Sequence, residues 1–155
     1  MANLIDPTEM MFTAFEPKVK NRFVFYVDGL PSYLCRKVTR PKVENGELII
    51  KHINNQWNDI SLELYDPVVP SGAQAVMEWV RLHHESVTGR NGYADFYKKD
   101  CTINVLGPVG DKVEEWSLKG AYVKDADFGE MTWEDDNTAV VITMTLGIDY
   151  AVLQY

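Results

Sequence analysis

The residues best suited to chemistry in this sequence are few and widely separated. Histidine occurs at three positions, and two of them, His83 and His84, are neighbours. Successive residues on a helix point about 100° apart, so these two side chains are poorly placed to bind one metal ion. His52 lies in a predicted strand without a pattern of carboxylates around it. The sequence therefore predicts no metal site.

The candidate nucleophiles have simpler structural interpretations. Cys35 and Cys101 lie in apolar, strand-like runs without a C-x-x-C spacing, and a free cysteine packs as a small hydrophobe. We expect two reduced core thiols, although a cysteine paired with a distant histidine stays open as an alternative. Ser71 precedes Gly72 but lacks the G-x-S-x-G pattern of a hydrolase elbow. Its position instead predicts the N-cap of a helix, with Gln74 reaching back to it.

Paired carboxylates do not form a convincing catalytic dyad. Glu114 and Glu115 are adjacent in a predicted strand and would face opposite ways, and Asp135 and Asp136 lie in a predicted, solvated turn. The sequence also lacks a glycine-rich phosphate loop. We therefore expect no catalytic residue, no cofactor and no enzymatic activity.

Composition limits the possible classes of protein. The chain has 155 residues, 46% hydrophobic content and a net charge of −8, which predicts a single domain, 1–155, with an N-terminal arm, 1–20. An acidic balance argues against a protein that grips nucleic acid through its phosphates. No signal peptide and no apolar run of about 20 residues is evident. We expect a chain that is made in the cytoplasm and does not insert into a membrane.

One stretch near the C-terminus organises the predicted fold. Every second residue from Val140 to Tyr150 is apolar, and the interleaved residues are small or polar. This pattern predicts one long β-strand from Thr138 to Tyr150, about 40 Å in length, with two different faces. The second face is too apolar for ordinary solvated surface, which suggests burial by another copy of the chain.

The remaining elements predict a mainly β protein with one flanking helix. Strands are predicted at Arg22–Asp28, Tyr33–Thr39, Glu47–Ile53 and Ile60–Tyr65, with a loop at Asn54–Asp59, followed by a helix that starts at Ser71 and packs through Trp79. Two further strands near Cys101–Val105 and Trp116–Val123 join through a hairpin. The predicted architecture is an antiparallel β-sandwich or partial barrel with a helix on its flank.

The motifs resemble contractile phage tail tube proteins over nearly the whole chain. The residues that carry the resemblance are Asn21–Val27, the strand containing Cys35, the strand before Asp66, the helix with Trp79, Trp116, Gly120-Ala121-Tyr122, Phe128-Gly129-Glu130, Trp133 and Thr143–Tyr150. This family is related to the tube proteins of type VI secretion and of extracellular contractile injection systems. Tyr122-Val123 stands where the family often has a Trp-Pro pair, which leaves the subfamily open.

The resemblance implies a structural role. It implies hexameric rings that stack into a tube, with strands of neighbouring copies joining into a ring-wide β-barrel. Implied partners are the chain itself, a sheath protein and baseplate, initiator and terminator proteins. DNA would pass through the lumen without specific binding, in a virion tail assembled in the host cytoplasm; protein cargo in an injection system is the alternative.

The resemblance also suggests which residues face neighbours. Thr143, Thr145 and Asp149 are expected on a face toward the lumen or an adjoining copy. Candidate contacts between rings are the apolar residues of the arm and of the segment 44–59, namely Met10, Met11, Phe12, Phe15, Ile49 and Trp57. Two hypotheses of other classes remain, a barrel that binds a small molecule and an enzyme.

Overall fold

A computed structural model describes residues 16–45, 55–134 and 137–154 of the chain. These residues form nine strands: β1 (Phe23–Val27), β2 (Cys35–Val38), β3 (Val43–Asn45), β4 (Asn55–Trp57), β5 (Ile60–Tyr65), β6 (Lys99–Leu106), β7 (Lys112–Asp127), β8 (Val141–Gly147) and β9 (Tyr150–Leu153). Helix α1 covers Gly72–His83 and the short helix α2 covers Ala94–Tyr97. A 3-10 turn, Ser32–Leu34, precedes β2.

Seven strands form one antiparallel sheet that folds over on itself. The strand order is β1-β6-β7-β8-β5-β2, and β9 pairs with the first half of β7. Residues from β1 and β6 share one core cluster with residues from β5 and β8, so the two halves of the sheet face each other. Strands β3 and β4 form a separate ribbon. The predicted mainly β, antiparallel architecture with one flanking helix is confirmed, and the described strands of the single chain do not close into a barrel.

The alternating pattern of β5 and β8 explains why these strands occupy the centre of their half. Ile60, Leu62 and Leu64 of β5 lie opposite Leu146, Met144 and Ile142 of β8, and all six side chains are fully buried. The residues between them point to the other face of the sheet. Burial of such aliphatic side chains contributes about 1.5–3 kcal/mol each, so this pairing fixes the register.

The prediction of one uninterrupted C-terminal strand is wrong. The strand starts at Val141, breaks after Gly147 and resumes at Tyr150. The register nevertheless continues along β7, since Tyr122 lies opposite Gly147 and Lys119 opposite Tyr150. The break marks the place where this ribbon passes from one half of the sheet to the other. Beyond it the predicted core face ends, because Tyr150 is half exposed.

A glycine on β7 makes that bend possible. Gly120 lies beside the interruption with a φ of +67°, and a Cβ atom there would come within 2.0 Å of the Asp149 carboxylate. The amide of Asp149 donates to the carbonyl of Lys119 at 2.9 Å, so the ribbon stays closed through the bend. A positive φ and a close approach both favour glycine.

Helix α1 follows its sequence pattern. The Ser71 hydroxyl accepts a hydrogen bond from the amide of Gln74, which confirms the predicted N-cap. Val76 and Trp79 are buried on the face toward the sheet, and the Trp79 indole donates to the carbonyl of Tyr97 at 2.7 Å. His83, which shares their helical spacing, is exposed and stacks on Tyr97.

Other predicted boundaries need correction. The expected loop at Asn54–Asp59 contains strand β4, which pairs with Val43–Asn45. Strand β7 is longer than expected and continues to Asp127, because β8 pairs with its second half. The predicted strand Glu47–Ile53 lies outside the described residues. Within the part of the chain that the structure describes, no helix is long and apolar enough to cross a membrane.

Candidate assembly surfaces

The half of the sheet built from β2, β5, β8 and the end of β7 has one buried and one outward face. On the outward face, Thr143 lies opposite Glu63 and Thr145 opposite Ser61. Thr143 is exposed and Thr145 is half-buried, in contrast to their buried neighbours on the same strand. The structure thus brings these two predicted residues together on a small, polar surface, which we call the outward face.

Asp149, the third residue predicted for this face, lies elsewhere. It occupies the interruption between β8 and β9, where its carboxylate accepts hydrogen bonds from the Lys98 ammonium at 2.9 and 3.1 Å. The pair raises the pKa of Lys98, chiefly through the hydrogen bond to Asp149. Alternation alone placed Asp149 with the threonines, since nothing in that pattern signals the bend.

Both margins of this half-sheet are open. Strand β2 pairs with β5 on one side, and residues 122–127 of β7 pair with β8 on one side; neither has a second strand partner among the described residues. Unpaired N–H and C=O groups along such a strand are a template for pairing with another chain. Sequence reasoning did not identify which strands form the edges, since that depends on long-range pairing.

A basic groove of about 460 Å³ runs between β1 and β2. Its cationic lining residues are Lys18, Lys20, Arg22, Arg36, Lys37 and Arg40. Seven of the chain's 15 lysines and arginines fall between Lys18 and Lys42, where Asp28 is the sole acid. The acidic total of the chain therefore conceals a basic surface.

A buried acid holds part of this groove together. Glu114 is 4% exposed and accepts hydrogen bonds from Lys18, from the Trp116 indole and, at 3.3 Å, from Arg40. Burial alone would raise the pKa of Glu114, but these three donors outweigh it and lower the pKa. The interaction ties the chain before β1 and the chain after β2 to the start of β7.

The candidate contacts between rings are mostly beyond what the structure describes. Met10, Met11, Phe12, Phe15 and Ile49 lie outside the described residues. Trp57, the remaining candidate, is half-buried and packs against the chain's own core from β4. Two apolar side chains that the sequence reasoning did not select, Met131 and Trp133, are almost fully exposed after β7.

The residues first considered for chemistry have structural partners. The His84 ring lies 2.7 Å from the Asn91 side-chain oxygen. Burial raises the pKa of both thiols, Cys35 and Cys101, to about 12, which keeps them protonated at neutral pH. Across residues 16–45, 55–134 and 137–154, no three His, Cys, Asp or Glu side chains converge on a possible metal position.

Comparison with known proteins gives a fold but no sequence family. No protein-family model and no curated protein matches the chain. Among solved structures, a chain of the sheath/tube terminator of the PVC extracellular contractile injection system aligns with a TM-score of 0.68 at 16% identity, covering 92% of this chain and 100% of the other. A chain of the tube-terminating cap of the anti-feeding prophage aligns with a TM-score of 0.66 at 18% identity and 99% coverage of both chains.

A third solved structure is also similar to this chain. Hcp1 from Flavobacterium johnsoniae aligns with a TM-score of 0.54 at 13% identity, covering 86% of this chain and 94% of its own. At these identities the likeness establishes a shared fold. The three alignments cover between 86% and 99% of this chain.

Proposed function

We propose, from the fold that this chain shares with tube terminators and caps of contractile injection systems, that it is a structural subunit of a tube. In this proposal the chain forms hexameric rings that stack, and its half-sheet joins those of its neighbours around a lumen. The observation that carries the proposal is the four-stranded half-sheet with two open margins. Closing a ring through those margins removes both exposed edges at once.

The role is structural rather than enzymatic. Two observations support this role. His83 stacks on Tyr97, and the His84 ring lies beside the side-chain amide of Asn91. Both thiols are protonated at neutral pH, because burial raises their pKa. A protonated thiol is a weak nucleophile. The outward face offers hydroxyls, carboxylates, an aromatic ring and the cations Arg36 and Lys37, but no convergent set of acid, base and nucleophile.

The cargo is DNA if the tube belongs to a phage tail. The outward face has the acids Glu63, Asp125 and Asp127 beside the cations Arg36 and Lys37, so it has no excess of positive charge that would retain phosphates. In a virion the subunit would lie in the tail tube, after assembly in the host cytoplasm, with sheath, baseplate, initiator and terminator proteins as partners.

The alternative is a tube subunit of a type VI or extracellular contractile injection system that conducts protein effectors. The similar PVC structure favours this version, because it is part of an extracellular contractile injection system. A near-neutral, hydroxyl-bearing outward face would also let a folded protein pass without strong attachment. The tube itself has the same construction in both versions.

Electron microscopy of the purified protein tests the proposal. We expect six-fold rings or short tubes at high protein concentration, and a ring mass six times that of the 17.7 kDa chain. A protein that stays monomeric at every concentration, and with its particle partners present, would overturn the proposal. Particles isolated from the producing cells then separate the two versions by whether nuclease-protected DNA or protein fills the tube.

A further inference from the structure

The two open margins of the half-sheet carry opposite charges. On β2, a register shift between Cys35 and Lys37 interrupts the usual alternation, and the exposed Arg36 and Lys37 both lie on the outward face. Arg36 stands over the ring of Tyr65, and Lys37 faces Glu63. On β7, Asp125 and Asp127 are exposed and lie opposite Thr145 and Thr143 on the same face. Cations thus mark one margin and acids the other.

Among the residues that the structure describes, these charges are largely unneutralised. Arg36 and Asp125 have no ion-pair partner among the described residues, and Lys37 reaches Glu63 only at 3.7 Å. The neighbouring cation on β7 does not neutralise these acids, because Lys124 forms an ion pair with Asp59 at 3.0 Å. The margins therefore keep their opposite signs in the isolated chain.

Strand directions allow the margins to join. Strands β2, β5, β8 and β7 are each antiparallel to the next, so β2 and the end of β7 run in opposite directions. When copies are related by rotation about a ring axis, β2 of one copy meets β7 of the next in antiparallel orientation. The alternation then continues unbroken around the ring, with ladder hydrogen bonds at each junction.

We propose that, where β2 of one copy meets residues 122–127 of β7 in the next copy, Arg36 and Lys37 bind Asp125 and Asp127 across the junction and select the partner. This inference rests on the proposed function, in which the two margins meet, and adds to it which charges select the partner. The partner is a second copy of this chain. The contact is head-to-tail, so it closes rings rather than dimers.

The charge distribution argues against a two-fold contact. Joining β2 to β2 would place Arg36 and Lys37 against the same cations, beside the rest of the basic groove. Joining β7 to β7 would place acids together, and the 31 residues after Lys124 contain seven acids and no lysine or arginine. Like charges opposed across an interface disfavour it, so complementarity selects the head-to-tail pairing.

Charge reversal at each margin tests the junction. The first variant combines Arg36→Glu and Lys37→Glu, and the second combines Asp125→Lys and Asp127→Lys. Each variant opposes like charges at every junction, so we expect at least about a tenfold rise in the protein concentration needed for half-assembly. Arg90→Glu, an exposed loop substitution away from both margins, is the matched control and should assemble as the wild type does.

Mixing the two reversed variants gives a sharper result. In an alternating ring, the glutamates of the first variant meet the lysines of the second, and the wild-type cations of the second meet the wild-type acids of the first. We expect equimolar mixing to restore rings in which the two variants alternate, detected by native mass spectrometry as three copies of each in a six-membered ring. Unfolded chains would not be rescued by mixing.

Different outcomes bear on the junction and on the tube function. Assembly of either reversed variant at wild-type concentrations, or a mixture that stays monomeric while each variant shows a native melting curve, overturns the pairing but leaves the tube function standing. A wild-type chain that never assembles overturns both. If a reversed variant does not fold, the neutral pair Arg36→Gln and Lys37→Gln decides: weaker assembly with less salt dependence supports the junction, and unchanged assembly refutes it.

Discussion

The two faces of the half-sheet obey different physical constraints. The interior face of β5 and β8 consists of aliphatic side chains without exposed surface, and it meets the helix through Val76 and Trp79. The outward face of the same strands has Ser61, Glu63 and Tyr65 on β5 and Val141, Thr143 and Thr145 on β8. Adjacent positions on one strand therefore differ in which side chains they tolerate.

This difference separates folding from assembly. Interior residues must match one another in volume, because protein interiors are closely packed. Outward residues have no such partner within the chain, so charge and polarity there can serve a neighbouring copy. Four pairs of substitutions test this separation, and each pair contrasts a closely surrounded position with a more open one.

The largest contrast is expected between Ile142→Lys and Thr143→Lys. Ile142 is fully buried, and a lysine there would bury an unpaired charge, which costs about 5 kcal/mol or more and rivals the stability of a whole domain. Thr143 is exposed, and its replacement should change stability by less than about 0.5 kcal/mol. Circular dichroism and urea unfolding measure both.

A folded Ile142→Lys protein together with an unfolded Thr143→Lys protein would show that the two faces are exchanged. A folded Thr143→Lys variant also allows a test of DNA transit in assembled tubes. If the outward face lines a DNA-conducting lumen, an added lysine should slow transit, because it binds phosphate by releasing counterions.

Two tryptophans give the second contrast. Trp79 is 3% exposed and Trp133 is 103% exposed. Trp79→Ala should lower the free energy of unfolding by about 3–5 kcal/mol, since it leaves a cavity and removes the hydrogen bond to Tyr97. Trp133→Ala should leave the stability of the single chain nearly unchanged. Equal shifts in the urea midpoint for the two variants would contradict this placement of α1.

The interior was the part that the sequence could predict. Alternation in β5 and β8, and the helical spacing of Val76 and Trp79, identified buried residues because burial leaves a periodic pattern. The bend at Asp149 escaped prediction, since periodicity continues through it and its cause, the positive φ of Gly120, lies on another strand. The extension of β7 to Asp127 escaped for a similar reason, because it depends on pairing with β8.

Less of the candidate assembly surface could be predicted from the sequence. Thr143 and Thr145 could be placed on one face, but the margins could not be identified without the strand order β8-β5-β2. The opposite charges of Arg36 and Asp125 acquire meaning only when these strands are known to be edges. A signal was present in the separation of basic residues before Lys42 from acidic residues after Lys124.

Two glycines with positive φ give the third contrast. Gly120 and Gly110 have φ values of +67° and +83°, but a Cβ atom would clash with Asp149 at Gly120 and meet nothing within 4 Å at Gly110. Gly110→Ala should cost about 1 kcal/mol from backbone strain alone, and Gly120→Ala about 2–3 kcal/mol. In an Asp149→Ala background we expect at least half of that difference to vanish. A difference that persists would place the constraint at Gly120 in something other than the Asp149 side chain.

The smallest contrast concerns two acids, the buried Glu114 and the more exposed Glu63. Glu114→Gln should lower the free energy of unfolding by about 1–2 kcal/mol at neutral pH, because it weakens the hydrogen bonds from Lys18, Arg40 and Trp116. Glu63→Gln removes a 3.7 Å ion pair with a largely exposed lysine, so its effect should stay below about 0.5 kcal/mol.

The pH dependence distinguishes the role of Glu114 from simple packing. Its pKa is lower in the folded chain than in the unfolded chain, because the three donors outweigh the opposing effect of burial. The carboxylate therefore contributes stability above the unfolded-state pKa of about 4.3, and this contribution is lost as the pH falls through the folded-state pKa. Urea titrations should show the wild type losing stability in acid more steeply than Glu114→Gln, so that the two curves converge at low pH. A constant gap between the curves would mean that Glu114 stabilises the start of β7 by its shape, and that its charge does not hold Lys18 and Arg40 in place.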